Sequence, residues 1–109
     1  MDKNDRIYLT HIVQSVAAIR EFTENMNLDQ FLADLKTQDA VMRRLEIIGE
    51  ATKRVSEAFR QQHSEVPWKK MAGMRDKLIH DYMGIDLTTV WTAAKTSIPE
   101  LEEDLRKLI

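Results

Sequence analysis

Apolar residues recur at intervals of three and four along nearly the whole chain, and this spacing constrains the fold more than any other feature of the sequence. In an α-helix, such spacing places the apolar side chains on one face. Only three Gly and two Pro interrupt the pattern, so little of the chain is left for strands. The sequence therefore predicts an all-α protein.

Length and composition limit the kind of protein further. The 109 residues fit one compact domain, so we predict a single helical domain over residues 1–109. Hydrophobic residues make up 43% of the chain and charged residues 31%, which favours a globular fold over disorder. The absence of cysteine excludes disulfides, thiolate zinc sites and cysteine nucleophiles.

No segment is long enough to cross a membrane. The longest aliphatic run, 16–19, is far shorter than the roughly 20 residues that a bilayer requires. No signal peptide is visible at the start of the chain. We therefore predict a cytoplasmic protein that has no contact with a membrane.

Two long helices and a short one are predicted in the first half of the chain. The first long helix covers about residues 5–23, a short capped segment begins at 27–30, and the second long helix covers about 38–62. The apolar residues that define these three segments are Leu9, Ile12, Val16, Ile19 and Phe22, then Phe31, Leu32 and Leu35, then Val41, Leu45, Ile48, Val55 and Phe59. The second long helix is expected to be the spine of a bundle.

Two further helical stretches follow. Pro67 suits the first position of a helix over about 68–83, with Gly84 as its C-terminal cap. Asp86 is a plausible N-cap for the last stretch, which Pro99 interrupts. Pro99 either kinks a single helix or belongs to a capping box that opens a separate one, and the unbroken apolar stripe favours the kink. The elements together predict a four- to five-helix bundle.

The charge is distributed unevenly. The net charge is −2, which argues against a protein that coats nucleic acid by bulk electrostatics. Residues 43–77 contain nine basic and five acidic residues, a balance of +4, whereas the rest of the chain carries −6. The basic middle could form a surface that binds a polyanion, and solvated helix faces with i,i+4 ion pairs explain it equally well.

Common enzyme motifs are missing from the sequence. There is no Gly-rich phosphate loop, no nucleophile elbow and no His-Glu-x-x-His, and the three histidines stand apart at positions 11, 63 and 80. Metal catalysis by clustered histidines is not expected, and we predict neither a metal site nor a cofactor.

Arg75 is the most unusual residue of the chain, because it falls in the middle of an apolar helical face. That face contains Met71, Met74, Leu78, Ile79 and Tyr82. Burying an unpaired guanidinium is costly, so Arg75 should meet a carboxylate, a partner subunit or a bound anion. An internal ion pair with Glu46 or Glu50 is the plain structural interpretation.

His80 does not meet Arg75 on an ideal helix. The two positions are about 140° apart around the axis, while Asp76 is the i−4 neighbour of His80 and could orient its imidazole. A shared site would need a deformed turn near Gly73, a long reach of Arg75, or assembly across a two-fold dimer. A lone surface histidine is otherwise a solvated residue, and Tyr82 a core aromatic.

The segment Gly73-Met74-Arg75-Asp76-Lys77-Leu78-Ile79-His80-Asp81-Tyr82 resembles the Arg-x-x-x-x-His-x-Tyr signature of the HEPN superfamily, specifically its HepT-like branch of toxin ribonucleases. Three further blocks are similar to that branch in the same order. They are Leu45-Glu46-Ile47-Ile48-Gly49-Glu50-Ala51, Val66-Pro67-Trp68, and the start of the last helix from Asp86-Leu87 to Val90-Trp91.

The resemblance implies a HEPN-like helical domain that acts as a homodimeric, metal-independent endoribonuclease. It assigns Arg75 and His80 as the catalytic pair, in a cleft between two subunits, and Asp76 as a supporting residue. His80 would act as general base or acid, and Arg75 would stabilise charge on the scissile phosphate. The basic middle segment would be the surface that RNA approaches.

The resemblance also implies a partner. HepT-like toxins are paired with an MntA-like nucleotidyltransferase antitoxin, which silences the toxin by adding AMP to the motif tyrosine, here Tyr82. A bulky anion beside Arg75 and His80 would block the cleft. Two other hypotheses stay open: a non-catalytic helical adaptor that binds a nucleotidyltransferase, and a small-nucleotide-binding protein without RNA cleavage.

Overall fold

A computed structural model describes the backbone of residues 1–80 and 86–108 and the side chains of 1–74 and 86–108. The α-helices are α1 (Lys3–Thr23), α2 (Leu28–Leu32), α3 (Leu35–Arg54), α4 (Glu57–Gln62), α5 (Trp68–His80), α6 (Leu87–Thr92) and α7 (Ile98–Arg106), and a π-helical segment (Ala93–Ser97) joins the last two. No strand occurs in the described residues, so the all-α prediction is confirmed.

The bundle is built around the paired helices α1 and α3. Helix α5 packs along α3, while α7 and the π-helical segment pack against α1. These four long elements form the predicted bundle, and the short helices α2 and α4 extend it. None of the helices in the described part of the chain is long and apolar enough to span a membrane.

The core consists largely of the residues that the apolar spacing predicts. The buried side chains of α1, α3, α4 and the link between α3 and α4 include Leu9, Ile12, Val16, Ile19, Val41, Leu45, Ile48, Val55 and Phe59. Phe22 is an exception, because 38% of it is exposed near the end of α1. The prediction that it belongs to the buried stripe is wrong.

The helix predicted over 38–62 is two helices. Helix α3 ends at Arg54, and the backbone is extended at Val55 and Ser56 before α4 begins. Ser56 caps α4 through its hydroxyl, which accepts a hydrogen bond from the Phe59 amide at 3.2 Å. The Ser56 amide is meanwhile satisfied by Asp5 of α1, a residue far away in sequence that no local pattern identifies.

Capping residues fix the short second helix. Asn27 and Gln30 form a reciprocal capping box at the start of α2, as predicted. Asp34 then caps α3, which begins at Leu35, so Leu35 belongs to the long helix and not to the short segment. Leu35 is 69% exposed.

The last stretch is one continuous helical run with a π-helical segment just before Pro99. The Ile98 amide donates to the Ala93 carbonyl, one residue further back than in an α-helix. Ser97 makes no capping hydrogen bond and keeps helical backbone angles, so the capping-box alternative is excluded. Asp86 caps α6 as predicted, whereas Gly84 lies outside the described residues.

Candidate active site

Backbone and side-chain hydrogen bonds define where α5 begins, and α5 is the helix that carries Arg75 and His80. The Trp68 amide donates to the Val66 carbonyl at 2.8 Å, and the Met71 amide donates to the Pro67 carbonyl at 3.0 Å. The Trp68 indole N–H donates to the His63 carbonyl at 2.9 Å, with only 7% of the residue exposed. Pro67 therefore stands just before the first helical residue, where its missing N–H costs nothing.

Position 75 of α5 lies on the side of the helix that faces the core. Trp68 and Met71, seven and four residues earlier, are both buried, and these spacings place all three positions on one stripe. Helix α5 packs against α3. The environment of the Arg75 side chain lies outside the described residues, so the need for an anionic partner stays a prediction.

Position 80 lies on a different side of α5. It continues the stripe of Lys69 and Gly73, which are both exposed. Positions 75 and 80 are about 140° apart around the helix and about 7.5 Å apart along it. Helix α5 is α-helical through Gly73, so the deformed turn considered as one route to a shared site is absent.

One copy of α5 therefore presents Arg75 and His80 on separate faces. Of the routes considered from the sequence, a long reach of Arg75 and assembly from two copies are left. Asp76 is one helical turn before His80. The side chains of Arg75, Asp76 and His80, and the whole of Tyr82, lie outside the described residues, so their roles stay predictions.

Glu46 and Glu50 of α3, the two carboxylates considered as partners of Arg75, contact arginines of their own helix. Glu46 is 3.5 Å from Arg43, and Glu50 is 3.2 Å from Arg54. The hydrogen bond that Arg54 donates to the Glu50 carboxylate is the main cause that raises the pKa of Arg54 above its ordinary value, and the Tyr8 side chain adds to it. The ion pair with Arg75 concerns a side chain outside the described residues and stays a hypothesis.

An open groove of about 990 Å³ lies between α4 and the first turns of α5. Its basic lining residues are Arg60, Lys69 and Lys70, with Glu57 as the acidic one. These three cations are among the nine basic residues of 43–77, and helical spacing alone does not place them together. The break at Ser56 separates α4 from α3, a turn separates α4 from α5, and residues of α4 and α5 line this groove together.

A second groove, of about 470 Å³, lies between α1 and α3. Tyr8 and His11 line it from α1, opposite the Arg43–Glu46 and Arg54–Glu50 pairs. Among the described side chains, 1–74 and 86–108, no group of three or more His, Asp or Glu is placed to hold a metal ion.

These observations describe a small helical bundle with a basic groove beside α5, the helix that carries the predicted site positions 75 and 80. Comparison with known families agrees with that description. The ribonuclease HepT-like family matches residues 12–108, and the chain belongs to this family. The matched region covers the bundle and the Arg75–His80 segment, and the predicted family is confirmed.

Several curated relatives match over nearly their full length. The chain is 45% identical to a probable ribonuclease HepT of Thermococcus cleftensis, covering 99% of this chain and 98% of the relative. It is 42% identical to an inferred RNase of Caldanaerobacter subterraneus subsp. tengcongensis, over 98% and 96% of the two chains. An inferred RNase of Methanocaldococcus jannaschii is 42% identical over 100% and 91%. No solved structure matches the chain significantly.

Proposed function

We propose that this protein is a metal-independent endoribonuclease toxin that cleaves RNA at a site containing Arg75 and His80, shared by two copies of the chain. One observation carries the proposal: the ribonuclease HepT-like family matches residues 12–108, which include the Arg75-x-x-x-x-His80 segment of α5. The names of the relatives as ribonucleases support the same activity.

The chemistry follows from the two side chains. The ribose 2′-hydroxyl attacks the adjacent phosphorus, so the P–O2′ bond forms while the P–O5′ bond breaks. His80 accepts the proton of the 2′-hydroxyl as general base, or donates a proton to the leaving 5′-oxygen as general acid. The products are a 2′,3′-cyclic phosphate and a 5′-hydroxyl. Imidazole suits either role near neutral pH.

Arg75 stabilises the negative charge that develops on the phosphate oxygens during the attack. Its guanidinium stays charged at all relevant pH values and matches the planar geometry of a phosphate. Asp76, four residues before His80 on α5, supports the imidazole or contacts the RNA. None of these steps calls on a metal ion.

A second copy would bring the two residues together, because a single α5 has positions 75 and 80 on different faces. In a two-fold dimer the same surface of both subunits meets itself, so the Arg75 of one copy can approach the His80 of the other. The mass of the protein in solution should therefore be that of a dimer of 12.7 kDa chains. A stable monomer would contradict the shared site.

The partner we propose is a nucleotidyltransferase of the MntA-like type, which inactivates the toxin by modifying Tyr82. In that reaction the phenolic oxygen of Tyr82 attacks the α-phosphorus of ATP and pyrophosphate leaves. The adenylate adds a bulky anion two residues after His80 and blocks the approach of RNA. Incubation with ATP and the partner should raise the intact mass of the wild type by one or more AMP units, and not that of Tyr82→Phe.

The activity itself is tested with purified protein, RNA and EDTA. We expect cleavage that EDTA does not reduce, with products that carry 2′,3′-cyclic phosphate and 5′-hydroxyl ends. No cleavage of any RNA, together with retained binding to the nucleotidyltransferase, would contradict the proposal and favour the non-catalytic adaptor.

A further inference from the structure

We infer that the groove between α4 and the start of α5 binds the phosphate backbone of RNA and leads it toward position 80. The inference rests on the proposed function and deepens it, since it assigns a substrate-binding surface to residues outside the candidate catalytic pair. The basic residues concerned are Arg60 of α4 and Lys69 and Lys70 of α5. We call these three residues the groove cations.

The groove cations are not neutralised within the part of the chain that the structure describes. Neither lysine forms an ion pair or hydrogen bond there, and the buried Nε of Arg60 has no acceptor. Arg43 and Arg54, in contrast, each contact a glutamate of α3. The groove cations are therefore available to bind an external anion.

The one carboxylate of the groove does not cancel this charge. Glu57 accepts a hydrogen bond from Gln61 at 3.3 Å, one turn along α4. Three cations against one carboxylate leave the groove with a net charge of +2. An open groove of one sign attracts polyanions, because each phosphate that it neutralises releases condensed counterions.

The shape of the groove fits a strand better than a small ligand or an apolar partner. Its volume of about 990 Å³ is at the upper end of pockets that hold small molecules, and the groove is open. Its large apolar residues, Val66 and Trp68, are 2% and 7% exposed, so they offer little surface for a protein helix to bury. The charged groups that the groove offers to a partner are mainly cationic.

The lysine at position 69 and the candidate catalytic position 80 lie on one stripe of α5. Positions 69, 73, 76 and 80 lie on the same stripe of the helix, with about 16 Å of rise from the first to the last. Gly73 lies between positions 69 and 76 and has no side chain that could obstruct a strand. No atom lies within 4 Å of the place where its Cβ atom would stand. A strand whose phosphates contact Lys69 and Lys70 can therefore reach position 80 a few nucleotides further on.

The test is the salt dependence of binding to a labelled single-stranded RNA whose 2′-oxygens are methylated, so that it cannot be cleaved. Fluorescence anisotropy gives the affinity between about 50 and 200 mM salt for the wild type and for the double variant Lys69→Gln/Lys70→Gln. Two lost phosphate contacts should reduce the slope of log affinity against log salt by about 1.4 and weaken binding roughly 25-fold near 0.1 M salt.

A matched control changes the net charge by the same amount elsewhere. Lys36 in the first turn of α3 and Lys107 after α7 are exposed, so Lys36→Gln/Lys107→Gln should bind like the wild type. All four lysines are on the surface, and circular dichroism and thermal unfolding should be unchanged in both variants. Equal slopes and affinities for the two double variants would overturn the inference.

The outcome is independent of whether the chain cleaves RNA. If the slope changes as expected but no RNA is cleaved, the binding groove stands and the catalytic proposal fails. If RNA is cleaved but the slope is unchanged, the groove assignment fails alone. Weaker binding to the nucleotidyltransferase with unchanged RNA binding would assign the groove to an acidic protein surface and contradict our inference.

Discussion

The carboxylate of Asp5 accepts two hydrogen bonds from Ser56, one from its amide and one from its hydroxyl, each at 2.7 Å. Asp5 is only 3% exposed, and 51 residues separate the pair in sequence. The contact joins the first turn of α1 to the break between α3 and α4. It thereby fixes where α4 lies, and with it one wall of the basic groove.

We expect Asp5→Ala to lower the free energy of unfolding by about 2–3 kcal/mol, because it leaves the Ser56 amide without its partner in a partly buried place. Urea unfolding monitored by circular dichroism measures the change. Ser56→Ala and the double variant complete a mutant cycle, in which the two losses should be less than additive. Additive losses would contradict a direct interaction between the two side chains.

Gly73→Ala should stabilise the protein. Gly73 lies inside α5, is exposed, and has open space where a Cβ atom would stand. Replacing an exposed helical glycine by alanine contributes about 0.5–1 kcal/mol, since glycine loses more backbone freedom on folding. The reverse change at the neighbouring position, Ala72→Gly, is the control and should destabilise. Destabilisation by Gly73→Ala in thermal unfolding would show that position 73 is in contact with another surface.

The N-cap residue Asp34 should make the stability of the fold depend on pH in the acid range. Hydrogen bonds from the Thr37 amide, and then from its hydroxyl at 2.8 Å, hold the pKa of the Asp34 carboxyl below its usual value. A lowered pKa in the folded state stabilises the fold above the pKa of the unfolded chain, and this stabilisation is lost as the pH falls through the folded value.

Asp34→Asn keeps an N-capping side chain and removes the titration. The difference in free energy of unfolding between wild type and Asp34→Asn should favour the wild type at neutral pH and shrink as the pH falls below about 4. Urea unfolding of both proteins across the acid range measures this difference. A difference that does not change with pH would contradict the role of the charged cap.

The sequence predicted the helices whose apolar spacing is regular and whose caps are local. The stripe of α1 and the caps Asn27 and Asp86 are examples, since each depends on neighbours in the chain. The break at Ser56 was missed because its stabilising partner, Asp5, comes from another helix. Local periodicity continues across Val55 and Phe59, which are both buried, and so it hides the break.

The candidate site was also predicted only in part from the sequence. Helical spacing alone predicted that Arg75 and His80 lie on different faces, and the regular course of α5 agrees with it. Family resemblance supplied the chemistry, which spacing cannot give. The groove cations were visible only as part of a basic segment. Apolar spacing does not reveal the turn between α4 and α5, where Trp68 contacts His63 and Phe59, or that Arg60, Lys69 and Lys70 line one groove.

A mixing experiment tests whether the site is shared. If each site takes Arg75 from one copy and His80 from the other, a dimer of one Arg75→Ala chain and one His80→Ala chain contains one intact pair. Unfolding and refolding the two variants together should restore about a quarter of the wild-type cleavage rate, since half of the dimers are mixed. Each variant refolded alone is the control, and a mixture as inactive as its parents would contradict the shared site.

The most direct test of the central claim is the rate of RNA cleavage in EDTA by wild type, Arg75→Ala and His80→Ala at equal concentration. We expect each substitution to lower the rate by about a hundredfold or more, since general acid–base catalysis and charge stabilisation each contribute on this order. Lys36→Ala, on the surface of α3, should cleave like the wild type. Wild-type rates in both the Arg75 and His80 variants, with folding intact, would contradict the account.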